Sequence, residues 1–171
     1  MKAKDPSMTQ KVLVTYATRA GSTAEIAVAI GQTLTARGYK VEVKPVKQVA
    51  SLAGYQAVIL GSAIRMGNWL PEVVKFIEAN QATLKSLPVA LFTVHMLNAD
   101  DDEANRVARE AYTARIRALL PEAPEVFFTG LMDFSRLSFL DRFIAKMVKA
   151  VEADQRDWEA IKHWAEAVSI G

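Results

Sequence analysis

Residues 11–27 read KVLVTYATRAGSTAEIA, and their reading decides the fold. The first six, KVLVTY, are β-branched and aromatic, as a buried strand requires. A polar turn follows, Ala17-Thr18-Arg19-Ala20-Gly21-Ser22-Thr23, and leads directly into a helical pattern that places Ile26, Ala27, Ile30 and Leu34 on one face until Gly38. Three hydroxyls, a glycine and a helix N-terminus in one turn form a cradle for a phosphate, because the first N–H groups of a helix lack partners and its dipole favours an anion. A second reading is that Ser22 or Thr23 only caps the helix. The turn has no Gly-Lys-Ser/Thr and no G-x-G-x-x-G, which argues against nucleoside triphosphates and NAD at this position.

The same alternation continues outward from this stretch. Residues 41–46 (VEVKPV) alternate like a half-exposed strand, with Pro45 marking a sheet edge. Residues 57–60 (AVIL) and 88–94 (PVALFTV) are almost wholly apolar, as strands covered on both faces are. Residues 125–130 (EVFFTG) supply a fifth strand. Helical spacing recurs from Pro71, over 104–120 and over 156–169, and the acids at 100–103 complement the N-terminus of the second of these. The expected fold is an α/β, three-layer doubly wound sandwich with a five-stranded parallel sheet in the order 2-1-3-4-5. Ligands of such sheets bind beyond the carboxyl ends of the strands, at the switch point between strands 1 and 3.

Composition narrows the chemistry. The 171 residues contain no cysteine and two histidines, His95 and His163. Thiolate catalysis, disulfides and multi-histidine metal sites are thereby excluded. The net charge of +2 is spread without a basic block, so nucleic acid is not an expected partner. No apolar window reaches the length of a membrane span, and MKAKDPSM lacks the apolar core of a signal peptide. The expectation is a cytoplasmic protein with a frayed tail at 1–8 and one domain over 9–171. No nucleophile elbow is present, which argues against a hydrolase.

The stretch KVLVTYATRAGSTAEIA resembles the first strand and phosphate loop of the flavodoxin family. The resemblance implies FMN as cofactor, with Thr18, Gly21, Ser22 and Thr23 around its 5′-phosphate. Arg19 and Ala20 stand where hydroxyl residues are usual, so one donor is lost and Arg19 offers a charged one. The resemblance also implies that residues 61–69 flank the flavin ring through Ser62, Ala63, Ile64, Arg65, Gly67, Asn68 and Trp69. Trp69 would stack on the ring, or else be a core residue at the start of the following helix. Gly67 would let a peptide unit face the flavin. The third loop, with Thr93, Val94, His95 and Met96, would lie beside another edge of the ring. His95 would donate to it or move a proton, or be a structural histidine. Beyond the flavin itself no catalytic residue is assigned.

Residues 131–155 separate the fifth strand from the last helix. Within them Phe139, Leu140, Phe143, Ile144, Met147, Val148 and Val151 recur at helical spacing, with Asp141, Arg142, Lys146 and Lys149 opposite. This amphipathic helical segment is either packed on the sheet or a lid or membrane-surface helix over 134–151. TGLMDFSRLSFLDRFIAKMV and DWEAIKHWAEAV are similar to the flavodoxin-type, quinone-dependent protoporphyrinogen oxidases. That similarity implies oxidation of a porphyrinogen with a quinone as acceptor, for haem biosynthesis, and Arg65, Arg136 and Arg142 paired with propionates. Arg65, Arg136, Arg142, Lys146 and Lys149 would form a substrate or membrane face. A carrier that only exchanges electrons with a redox protein, and a flavin-free binding module, are the alternatives. The weakly positive charge speaks against an acidic carrier. The oligomeric state stays open, a dimer included.

Overall fold

The apolar runs become the middle of a sheet. In the computed structural model, residues 10–147 and 152–171 are described, so the expected tail at 1–8 and the candidate Lys149 lie outside the described residues. The strands are β1 (Lys11–Ala17), β2 (Lys40–Pro45), β3 (Ala57–Arg65), β4 (Asn68–Trp69), β5 (Val89–His95) and β6 (Glu125–Thr129). Five of them pair in parallel in the order β2-β1-β3-β5-β6, and β4 folds back antiparallel onto the end of β3. Counting the parallel strands alone, this is the expected 2-1-3-4-5 path.

Alternation along each central strand feeds two cores. Leu13, Val58, Leu60 and Leu91 face one side, where they meet α2 (Pro71–Ala79), α3 (Gln81–Lys85) and α5 (Ala114–Leu119). Val12, Val14, Ile59, Ala90 and Phe92 face the other, against α1 (Ser22–Ala36) and α7 (Trp158–Ala167). Because both faces are covered, the strands read as continuous apolar runs and not as alternating ones. The edge strand β2 does alternate, and Pro45 sits in it opposite Tyr16.

The expected helix over 104–120 is two helices. α4 (Glu103–Tyr112) starts at Asp102, whose side chain accepts from Asn105 N at 2.8 Å, and ends at Thr113 with φ −111° and ψ 6°. α5 then begins at Ala114. Thr113 is fully buried and its hydroxyl receives the Arg117 guanidinium, a local alternative to the helix ladder.

β3 runs five residues beyond the expected 57–60 and turns at Met66-Gly67, with φ of 52° and 75°. Two successive positive φ values are those of the tight hairpin turn that suits strand twist. Gly67 takes this conformation freely; Met66 does so at a steric cost.

After β6 the chain makes β7 (Leu131–Met132), a short 3-10 turn at Phe134–Arg136, α6 (Phe139–Met147) and β8 (Ala153–Asp154). β7 and β8 pair antiparallel and close the base of this excursion.

Candidate functional site: a cleft at the carboxyl ends of the strands

The parallel strands all end at one rim, and the loops leaving β1, β3, β5 and β6 enclose a cleft of about 410 Å³ there. This size is ordinary for a small-molecule site. The turn after β1 contributes Thr18, Arg19, Ala20 and Ser22. The β3–β4 hairpin contributes Ala63, Ile64, Arg65 and Gly67, and the loop after β5 contributes Val94, His95 and Met96. Three separate stretches of sequence thus converge on one rim.

The β1–α1 turn is shaped as an anion cradle. Gly21 stands at φ 90°, a left-handed conformation, and its N–H donates to Thr18 Oγ1 at 2.9 Å. No side chain caps the N-terminus of α1, which excludes the reading that Ser22 or Thr23 only caps the helix. Thr23 is fully buried, and its Oγ1 has no hydrogen-bond partner among the described residues. A buried hydroxyl without a partner is uncommon, because leaving it dry costs roughly 1–3 kcal/mol.

Arg19 is placed differently from the expectation. Its guanidinium grips Glu72, in the first turn of α2, through both terminal nitrogens, one at 3.1 Å from Oε2. The charge expected at the anion is therefore already matched. Glu72 is correspondingly held below the usual carboxylate range, first by its hydrogen bond to Arg19. A depressed folded-state value means that the pair stabilises the protein above the unfolded-state value of 4.5, and that this is lost as pH falls through the folded value. Glu72→Gln is expected to cost less than about 1 kcal/mol at pH 7, since the pair is partly exposed. The variant should flatten this part of the acid unfolding limb, measured by urea titration between pH 3 and 7.

Four expected site residues serve the scaffold. Trp69 is 3% exposed, and its indole Nε1 donates to Thr93 Oγ1 at 2.9 Å. It packs in the core beneath α2 and does not line the cleft, so the stacking expectation is corrected in favour of the core reading. Ser62 is buried and its Oγ accepts from Leu70 N at 2.9 Å, which anchors the entry to α2. Thr93 is buried beside them. Asn68 is exposed and its Nδ2 donates to Met66 O at 3.0 Å, bracing the hairpin turn.

The residues 131–155 supply what the sequence left open. α6 turns Asp141, Ile144 and Ala145 toward the cleft, and Leu137 joins them. Asp141 lies 2.9 Å from Arg65 Nε, tying α6 to the β3–β4 hairpin. Arg136 pairs with Glu25 of α1 at 3.2 Å and with Asp133 at 3.5 Å. Arg142 Nε donates to Phe134 O at 3.1 Å. Arg65, through Nε alone, and Arg136 thus have part of their charge matched within the chain.

Packing by the whole apolar stripe is not what α6 does. Its acid and alanine face inward, while Phe139 (89% exposed), Leu140, Phe143 and Met147 face outward. Two further lining residues were unforeseen, Tyr112 from the end of α4 and Asn98, which donates to the Tyr112 hydroxyl. The break at Thr113, invisible in the periodicity, is what turns Tyr112 away from the core stripe.

His95 ends β5, is 5% exposed and lines the cleft. Its Nδ1 lies 2.9 Å from Leu97 O. A carbonyl only accepts, so Nδ1 carries the proton and Nε2 is the acceptor. Burial lowers the pKa below the usual imidazole value, outweighing the hydrogen bond to Leu97 O that raises it, with a further downward push from the Arg109 guanidinium; this favours the neutral ring.

A doubly wound sheet with an uncapped helix N-terminus at its switch-point cleft defines a flavodoxin-type nucleotide site. The family model of the flavodoxin domain matches residues 13–159, and the chain belongs to that family. FMN is the cofactor of the family, and the protein is a flavoprotein of the oxidoreductase class.

Among curated relatives, it is 24% identical to the protoporphyrinogen IX dehydrogenase [quinone] of Escherichia coli strain K12, over 93% of this chain and 94% of that one. It is 25% identical to the protein of the same name from Leishmania major, over 93% of this chain and 74% of that one. Among solved structures, oxidised flavodoxin 1 from Bacillus cereus aligns with TM-score 0.53 and 18% identity, covering 84% of this chain and 100% of that one. A single-residue variant of the flavodoxin from Pseudomonas aeruginosa aligns with TM-score 0.52 and 16% identity, covering 81% and 93%. These structures share the fold.

Proposed function

We propose that the protein is an FMN-dependent dehydrogenase of porphyrinogens that passes electrons to a quinone. The observation that carries this is the added wall of the cleft. A minimal carrier has no such segment beside its flavin edge, whereas here Leu137, Asp141, Ile144 and Ala145 add a further wall to the rim and make a deeper, half-open and mostly apolar cleft. The names of the two curated relatives support the same reading.

The residues present fit FMN. Backbone N–H groups at the start of α1, with Thr18, Ser22 and the unpartnered Thr23 hydroxyl, would hold the phosphate without a free cation. FMN, when bound, supplies the two-electron acceptor that no side chain offers. The β3–β4 hairpin and the loop after β5 would position the ring. The apolar wall would reduce its contact with water.

The outward face of α6 supports a second element of the proposal, peripheral contact with a membrane from which a lipid-soluble quinone is reached. Phe139, Leu140, Phe143 and Met147 form an exposed apolar strip, and helical spacing puts Arg142 and Lys146 beside it. No helix among the described residues is long and apolar enough to cross a membrane.

One experiment tests both elements. FMN-loaded protein is mixed anaerobically with protoporphyrinogen IX and ubiquinone, with and without vesicles containing anionic phospholipid, and porphyrin fluorescence is followed. Turnover is expected, and faster with vesicles. Phe139→Ser with Phe143→Ser should keep the basal turnover and lose the vesicle effect. Electron exchange with redox proteins but no porphyrin formation would establish the carrier alternative.

A further inference from the structure

The imidazole of His95 is held in one orientation. The Leu97 carbonyl holds Nδ1–H at 2.9 Å, and two rings restrain the plane: Phe127 of β6 edge-on at 6.1 Å and Tyr112 of α4 tilted at 6.2 Å. Nε2 has no hydrogen-bond partner among the described residues. Nor is it among the unpartnered polar atoms sealed from solvent, although the residue as a whole is buried. What remains accessible of His95 therefore borders the cleft.

We propose that His95 is the proton acceptor of the reaction in the cleft, taking through Nε2 the pyrrole N–H proton of a substrate that loses hydride from the methylene carbon conjugated with that ring. The inference rests on the dehydrogenase reading and adds to it a catalytic residue. A methylene C–H of the porphyrinogen breaks and its electron pair leaves with the hydrogen, as the hydride that bound FMN would accept. The pyrrole N–H then breaks, its proton goes to Nε2, and the electrons left behind complete the conjugation as a C=C at the former methylene carbon and a C=N within the ring. After hydride loss that N–H is strongly acidic, so a neutral imidazole of modest basicity is sufficient.

The surroundings favour an acceptor over a donor. Facing His95 are Arg109 and Tyr112 from α4, the Leu97 carbonyl of its own loop and apolar Phe127 from β6; no carboxylate pairs with it among the described residues. Arg109 donates to the carbonyls of Asn98 and Asp100, which fixes a positive charge nearby. Of the other charged groups on the cleft wall, Asp141 is engaged by Arg65 and Arg19 by Glu72, which leaves His95 as the neutral base of the site.

The test combines a spectrum with kinetics, each on FMN-loaded protein. With His163→Gln removing the other imidazole, nitrogen-15 NMR should show a protonated Nδ1 and an unprotonated Nε2, titrating below the usual imidazole range. In anaerobic stopped flow, the rate of flavin reduction by protoporphyrinogen IX should fall as pH drops through that titration. His95→Gln should slow reduction by roughly 10²–10⁴-fold and remove the inflection. Added imidazole should restore part of the rate to His95→Ala.

A His95→Gln rate and pH profile equal to wild type would overturn the inference while leaving the dehydrogenase intact, and so would a protonated Nε2. A wild-type protein that protoporphyrinogen never reduces would overturn the dehydrogenase reading and this inference with it.

Discussion

Thr23→Val is expected to stabilise the FMN-free protein and weaken FMN binding, two effects of opposite sign from one atom. The threonine hydroxyl is fully buried and unpartnered, so replacing it by a methyl removes an unmet desolvation cost at nearly constant shape. A gain of about 1 kcal/mol corresponds to a melting temperature higher by roughly 2–4 °C for a chain of this size. With FMN present, the same change deletes a hydrogen bond to a charged phosphate. That loss is worth roughly 1.5–3 kcal/mol, or about 10- to 150-fold in dissociation constant. Affinity for riboflavin, which has no phosphate, should not change. Differential scanning calorimetry and flavin titration check both. Lower stability with unaltered FMN affinity would show that the hydroxyl serves the scaffold and not the phosphate.

Gly61→Ala is expected to be the most destabilising single methyl in the sheet. Gly61 on β3 lies beside Phe92 on β5 in the parallel register, and the Phe92 ring fills the space above it. An added Cβ would sit 2.0 Å from Phe92 Cζ and 2.3 Å from both Cε atoms. Phe92 is fully buried and tilted against Phe128 at 6.4 Å, so its ring has nowhere to move. Overpacking of this kind costs about 3 kcal/mol, at the upper end of its usual range, which lowers the melting temperature by roughly 6–12 °C. Phe92→Leu opens a space on its own and loses stability too. The double variant should nevertheless recover part of the loss, with a coupling of about 1 kcal/mol or more by thermal or urea unfolding. Strict additivity of the two changes would mean that the ring is not what Gly61 accommodates.

The layered fold was legible because its signals are local and redundant. Apolar runs over 57–60 and 88–94 can be explained only by strands covered on both faces, and Pro45 in an alternating run marks an edge. The strand–turn–helix geometry at 17–23 was legible for the same reason, since hydroxyls, glycine and helix start are contiguous in the chain. What failed depended on contacts between distant segments. Trp69 looks like a ring-stacking residue until Thr93, 24 positions later, offers its hydroxyl to the indole.

Arg65 and Arg136 look like free cations until Asp141 and Glu25 are brought to them. The stripe over α4 and α5 kept its period through Thr113, so nothing in it announced the break that carries Tyr112 to the cleft. On α6 the expected division of apolar from charged residues does not hold as drawn, since Asp141 and Ile144 share the cleft wall while Phe139, Leu140, Phe143 and Met147 are exposed. The inward side carries the Asp141 pair with Arg65 from a hairpin more than 70 positions earlier, and no amphipathic pattern records that.

The excursion after β6 leaves and returns at a single point. Gly130 O receives Gln155 N at 3.0 Å, and just beyond it Leu131–Met132 pairs with Ala153–Asp154. A segment whose two ends already meet can be lengthened, shortened or exchanged without moving any strand, because the entropy of closing a loop grows only slowly with its length. The added wall of the cleft therefore behaves as a cassette. One contiguous piece of gene can thus be changed to reshape this wall of the cleft, while the sheet and the β1–α1 turn beneath it stay as they are.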